Sequence, residues 1–183
     1  MFKRILVAVD GSPTANQGLK TALALAADQR ATIYVLHVLD SAAVAAGVAE
    51  MEYTPAGYIE QLSAGLRESG QKILNRAQAV ALKQNLGITP LLVEMTGGRV
   101  AHAILKQARK LHADVIVLGT HGRRGLRRLL MGSDAEAVLR EAKVPVLLVR
   151  AGTRGAATRA PRKASAKPNE RTVGPAAPSL AVH

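Results

Sequence analysis

Before residue 151 the chain alternates between short runs of apolar, often β-branched residues and longer stretches in which apolar positions recur every three or four residues. Five runs read as strands, over residues 4–9, 31–38, 89–95, 114–119 and 144–149. They are apolar mostly at consecutive rather than alternate positions, which is the pattern of strands covered on both faces. The stretches between them read as helices. Ser12 stands as an N-cap before Pro13 at the first helical position, with Leu19, Leu23 and Ala26 following on one face. A long helix over about residues 59–85 carries Leu62, Leu66, Ile73 and Leu74, and residues 100–111 place Val100, Ile104, Ala108 and Leu111 at helical spacing. In the last helix, Ser133 followed three residues later by Glu136 spells a capping box, so Ser133 is expected to be its cap. Residues 39–57 form an Ala-rich excursion with no period that assigns it.

This order of elements predicts an α/β fold: a doubly wound, five-stranded parallel sheet with right-handed crossovers. With strands in spatial order 3-2-1-4-5, a crevice opens between the carboxyl ends of the first and fourth strands, where connections leave on opposite faces. The first strand ends at Val9 and Asp10, the fourth at Gly119. Two unusual loops therefore open into one crevice.

Composition changes the picture mainly at the C-terminus. The chain has 183 residues, 48% of them hydrophobic, enough for one compact domain over residues 1–150. Of the formal charge of +12, residues 151–183 contribute +5, with six basic residues, one acid and only Val173, Leu180 and Val182 as larger aliphatics. Such a tail cannot bury enough apolar surface to offset the entropy of ordering, and reads as disordered. With aromatics at 2% of the chain, its charge implies at most weak, sequence-independent contact with nucleic acid, or a solubilising role alone. The absence of cysteine excludes disulfides, thiolate metal sites and a cysteine nucleophile. The first apolar run stops at Asp10, too short for a secretory signal, and no run reaches the roughly 18 residues of a membrane span, so a cytoplasmic protein without a membrane partner is expected. His37, His102 and His112 are not set at metal-ligand spacing, which argues against structural zinc or iron.

The candidate chemistry lies in "GTHGRRGLRRLLMGS", from Gly119 to Ser133, where Gly119, Gly122, Gly125 and Gly132 interleave with Arg123, Arg124, Arg127 and Arg128. Glycine at a strand end lets backbone approach a ligand, and at Gly132, where the last helix starts, free N–H groups favour an anion. A phosphate is the expected guest. The arginines either line the crevice or form a solvated helical face with Leu126, Leu129 and Leu130 turned inward, and their spacing slightly favours the second. Neither the P-loop GxxxxGK[ST] nor a GxGxxG after the first strand is present, where the chain instead reads "DGSPTA".

Taken together, "DGS" after the first strand, Gly119-x2-Gly122-x9-Gly132-Ser133 and the closing "VPVLLV" resemble the universal stress protein family, particularly its ATP-binding branch, over residues 1–150. The resemblance implies a Rossmann-like (adenine nucleotide alpha hydrolase-like) doubly wound sheet of order 3-2-1-4-5. It also implies a homodimer paired through the last strand at Val146–Val149, and binding of ATP with magnesium or manganese in stress response. By position, it puts Asp10 near the ribose, phosphates and nucleotide-bound metal, Ala8 and Val9 beside the adenosine, and the backbone of Val38 against the adenine. Gly119, His121 and Gly122 match the first glycine turn, Gly132 and Ser133 the second. Asp134 replaces the family's usual aliphatic residue, and its charge would favour the helix start but repel a phosphate.

Plainer roles stand beside these. For Asp10 the alternative is purely local, bonding its own turn; for Ser133 it is simple capping; for His121 it is a solvent-facing loop position. No catalytic residue emerges. ATP hydrolysis needs an oriented water and stabilised phosphate charge, for which Asp10, a metal and an arginine are unspecified, so turnover is expected to be absent or very slow.

Overall fold

The computed structural model describes residues 1–49, 53, 55–120 and 131–150. His121, Gly122, Gly125, the four arginines with their neighbouring leucines, and the basic tail at 151–183 lie outside the described residues. In chain order the elements are β1 (Arg4–Ala8), α1 (Pro13–Gln29), β2 (Thr32–Asp40), α2 (Ser41–Ala49), α3 (Tyr58–Leu82), β3 (Thr89–Met95), α4 (Val100–Lys110), β4 (Val115–Gly119), α5 (Ser133–Glu141) and β5 (Val146–Val149). All strand pairs are parallel, as the alternation of elements predicts, and their order is β3-β2-β1-β4-β5, the order that the family resemblance implies.

Consecutive apolar positions on the central strands feed two separate cores. Ile5, Val7, Val9, Ile33, Val35, Val115 and Val117 face α1 and α3. Leu6, Leu36, Ile116 and Leu118 face α4 and α5. Ile5, Leu6 and Val7 are each fully buried, and burying a side chain of this size contributes roughly 1.5–3 kcal/mol. At the amino ends of β1 and β4 the Asp114 carboxylate accepts the backbone N–H groups of Lys3 and Arg4, both at 2.8 Å. Those two bonds hold its carboxyl below the usual carboxylate range.

Helix α1 starts as its sequence predicts. The Ser12 hydroxyl accepts the Ala15 N–H at 3.2 Å, Pro13 takes the first helical position, and Leu19, Leu23 and Ala26 are buried. β2 runs two residues beyond the predicted end, because Leu39 and Asp40 stay paired with Glu94 and Met95 of β3. The excursion that follows contains α2, a run of alanine and valine with one serine and one glycine. Such a helix has no polar face to mark its period.

α3 buries Gly70, Leu74, Ala77 and Ala81, while Leu62, Leu66 and Ile73 are half-buried. Gly70 lets this helix lie close on the sheet: a Cβ there would stand 2.8 Å from Leu92 Cδ1 and 2.9 Å from His37 Cδ2 and Leu39 Cδ2. α5 corrects the capping-box reading. Its cap is Gly132, whose carbonyl accepts the Glu136 N–H at 2.9 Å, and Ser133 is the first helical residue with an exposed side chain. No capping box forms, because glycine at the cap has no side chain to accept an N–H of the first turn.

Candidate functional site

The site begins where β1 and β4 part. Their pairing runs through Ile5↔Val115 and Leu6↔Ile116 to Val7↔Val117. Pairing of β1 with β2 continues to Ala8↔Leu36, and that of β4 with β5 to Gly119↔Val149. The helix after β1 packs on one face and the helix after β4 on the other. The two central strands thus diverge at their carboxyl ends, at a topological switch point. Ser12, Thr14, His37 and Thr120, the buried polar side chains among the described residues, all lie at this end of the sheet. Burial of such groups requires hydrogen-bond partners.

Asp10 opens the loop after β1. Its Oδ1 accepts the Ser12 N–H at 2.9 Å, an Asx turn, and the intervening Gly11 has φ of +83°, a conformation that suits glycine. The Ser12 hydroxyl lies 3.1 Å from that of Thr14. This is the local bonding expected of Asp10 from its turn, and it fixes where the carboxylate stands. Ala8 is half-buried and Val9 buried. Val9 donates its N–H to the Leu36 carbonyl at 2.8 Å, and its own carbonyl lies 2.6 Å from His37 Nδ1. A carbonyl only accepts, so Nδ1 carries the hydrogen.

At the end of β4 a Cβ on Gly119 would come within 2.8 Å of Ala15 N, Thr14 C and Thr14 Oγ1. The bare side of this glycine is filled by the first turn of α1. Close packing of helix on strand requires glycine here independently of any ligand. Thr120 follows, donating its N–H to the Val149 carbonyl and accepting the Gly132 N–H, each at 2.9 Å. The two ends of the glycine- and arginine-rich span therefore meet at one point, with Gly132 and Ser133 entering α5 beside the end of β4.

Asp134 has a partner that its sequence position did not suggest. Its Oδ1 accepts the Ala101 N–H at 3.4 Å, in the first turn of α4, where Arg99 provides no side-chain cap. The carboxylate stands at the N-termini of two helices, where negative charge is favoured. Chain connections and hydrogen bonds bring Ala8, Val9, Asp10, Gly119, Gly132 and Ser133 to the parting strands. Val38 stands one strand away inside β2, half-buried and paired with Val93. His37 and Thr120 were missed by sequence reasoning. Only His37 carried a signal, a histidine flanked by the aliphatic residues Leu36 and Val38 inside β2. No group of three or more His, Cys, Asp or Glu among the described residues is arranged to hold a metal ion.

Residues 1–150 match the model of the universal stress protein family. A universal stress protein of Methanocaldococcus jannaschii is 35% identical over 150 residues, covering 82% of this chain and 83% of that one. The universal stress protein YxiE of Bacillus subtilis is 32% identical over 151 residues, covering 82% of this chain and 100% of that one. Among solved structures, a protein of this family from Burkholderia pseudomallei aligns with a TM-score of 0.62 at 36% identity, over 80% of this chain and 95% of that one. The universal stress protein from Archaeoglobus fulgidus in complex with dAMP shares the fold, with a TM-score of 0.56 at 23% identity over 80% of this chain and 97% of that one. A universal stress protein in complex with cAMP does so with a TM-score of 0.56 at 22% identity, over 82% and 98%. No helix among the described residues is long and apolar enough to cross a membrane.

Proposed function

The chain belongs to the universal stress protein family, and from that premise we propose that it binds an adenine nucleotide, ATP carried with magnesium or manganese, in the crevice between β1 and β4. On this reading it is a cytoplasmic, homodimeric regulator of stress response whose nucleotide occupancy biases dimer packing or partner binding. The observation that carries the reading is the early end of β1–β4 pairing at Val7↔Val117, while both strands continue with their outer neighbours. Relatives of the same fold in complex with dAMP and cAMP support an adenine nucleoside as the guest.

In this assignment Ala8 and Val9 border the adenosine and the Val38 backbone meets the adenine. Gly119, His121, Gly122, Gly132 and Ser133 surround the phosphates, and Asp134 tunes their affinity. The first turn of α5 offers backbone N–H groups without intrahelical partners, suited to an anion. Asp10 is a single carboxylate, which suits a hard cation that arrives already held by phosphates and keeps most of its water. For the dimer, β5 is an edge strand of four apolar residues with Leu147 37% exposed. The opposite edge, β3, contains Pro90 and an exposed Glu94, both of which discourage strand pairing.

Calorimetry on nucleotide-stripped protein, with and without magnesium, tests the reading against Gly132→Val. Gly132 has φ of −61°, open to any residue, so valine probes room for phosphate rather than backbone strain. Saturable binding by the parent and at least about tenfold weaker binding by a variant of unchanged melting temperature are expected, since a tenfold change needs only about 1.4 kcal/mol. No binding by the parent would sink the reading and move the search to the β5 face and the basic tail.

A further inference from the structure

His37 is 3% exposed and comes from a strand covered on both faces, where an aliphatic side chain would be the ordinary choice. Its Nδ1 reaches the carbonyl of Val9, 28 residues earlier, at 2.6 Å. The strand ladder gives this bond its meaning. β1 pairs with β4 only as far as Val7 and with β2 as far as Ala8. At Val9 the backbone N–H still bonds Leu36, while the carbonyl receives the imidazole. The next residue is Asp10, whose carboxylate turns to the Ser12 N–H. The ring is also confined from above, since a Cβ on Gly70 of α3 would lie 2.9 Å from His37 Cδ2.

We infer that His37 is a positioning residue of the crevice: by donating its Nδ1–H to the Val9 carbonyl beneath Gly70, it fixes the peptide that carries Asp10 and keeps the end of β1 beside β2, away from β4. The inference rests on the adenine-nucleotide reading for its functional consequence. The geometry it describes belongs to the ligand-free chain, so part of its test needs no nucleotide.

Two variants separate the hydrogen bond from the packing. In His37→Asn the amide nitrogen takes the place of Nδ1 and keeps a donor, with loss of bulk. In His37→Leu the bulk stays and the donor goes. Hydrogen exchange at the Val9 and Ser12 amides is read on ligand-free protein, and Mg-ATP affinity by calorimetry. His37→Leu is expected to speed exchange at both amides and to weaken Mg-ATP, each about tenfold, the scale of one lost hydrogen bond. His37→Asn is expected to keep exchange and affinity near parental values even though its melting temperature falls.

If exchange and affinity instead follow melting temperature across both variants, His37 is a packing residue and the inference is overturned. A parent that binds no Mg-ATP removes the nucleotide reading, and the exchange comparison still decides the role of His37. Should His37→Leu fail to fold, Gly70→Ala replaces it, pressing on the ring while leaving the donor in the chain. Faster exchange at Val9 and Ser12 is then expected, and parental protection there overturns the inference.

Discussion

The two ends of the β1–β4 pair are built from the same kind of strand and do opposite things. At the amino ends the strands are stapled. Asp114 takes the N–H groups of Lys3 and Arg4 on its carboxylate, and its own N–H donates to the Arg4 carbonyl, each at 2.8 Å. At the carboxyl ends the same strands part, and buried Ser12, Thr14, His37 and Thr120 appear. The apolar content of the strands does not make this difference; a few polar residues just beyond the ladder do. One carboxylate facing two backbone donors closes an end, while an Asx turn and an imidazole on a carbonyl hold the other in shape without closing it.

The comparison is broken most severely at Gly119, which lies at the open end but is required for packing. Gly119→Ala would drive a Cβ to 2.8 Å from backbone atoms of α1, which cannot step aside as a flexible side chain would. A loss of about 2 kcal/mol in urea unfolding is expected, in the range for overpacking. Stability within about 0.5 kcal/mol of the parent, the usual scatter of surface changes, would mean that α1 yields more easily than its contacts suggest.

A smaller effect sharpens the contrast from the stapled end. The Asp114 carboxyl is held low by its bonds from Lys3 and Arg4, with help from the Arg4 and N-terminal charges and against partial desolvation. Its folded pKa lies below its unfolded one, so its stabilisation is fully present above the ordinary carboxylate value, about 4, and is lost as pH falls through the folded value. Asp114→Asn should therefore melt below the parent at neutral pH, with the gap closing as both are taken into acid. A gap unchanged from neutral pH to well below the ordinary carboxylate value would contradict this account. Mg-ATP affinity should not change, because the staple is at the far end of the strands.

The smallest expected effect is at Asp134, whose bond to Ala101 is long at 3.4 Å and partly exposed. Asp134→Ala should cost about 0.5 kcal/mol of stability, the low end for a helix cap. Removing the charge should tighten Mg-ATP by about two- to threefold through weaker repulsion of the phosphates. Weaker binding instead would give the carboxylate a direct part in holding the ligand.

The doubly wound parallel sheet was legible because consecutive apolar runs separated by helical periods leave few architectures open; the order of its strands came with the family resemblance, and "DGS" with the glycine spacing pointed to the parting strands. Register was not legible, and the misses follow from it. The period of α2 is invisible because its sequence is almost wholly alanine and valine, with no polar positions recurring at helical spacing. Ser133 and Glu136 spell a cap, but the carbonyl that accepts Glu136 belongs to Gly132. Asp134 was weighed against a phosphate, although its partner is on another helix. His37 was judged only as a metal ligand, because nothing in a linear pattern says that it stands beside the Val9 carbonyl. Side-chain bonds between distant segments depend on the alignment of neighbouring strands, and the spacing of residues does not encode that alignment.

The bond from the Gly132 N–H to the Thr120 carbonyl has a consequence for engineering. It clamps together two backbone positions, one just past the end of β4 and one at the start of α5, whose spacing is set by the sheet and its helices rather than by any ligand. A designer altering the specificity of the crevice can hold these two anchors constant and ask of every exchange between them whether the clamp, and with it the frame, survives.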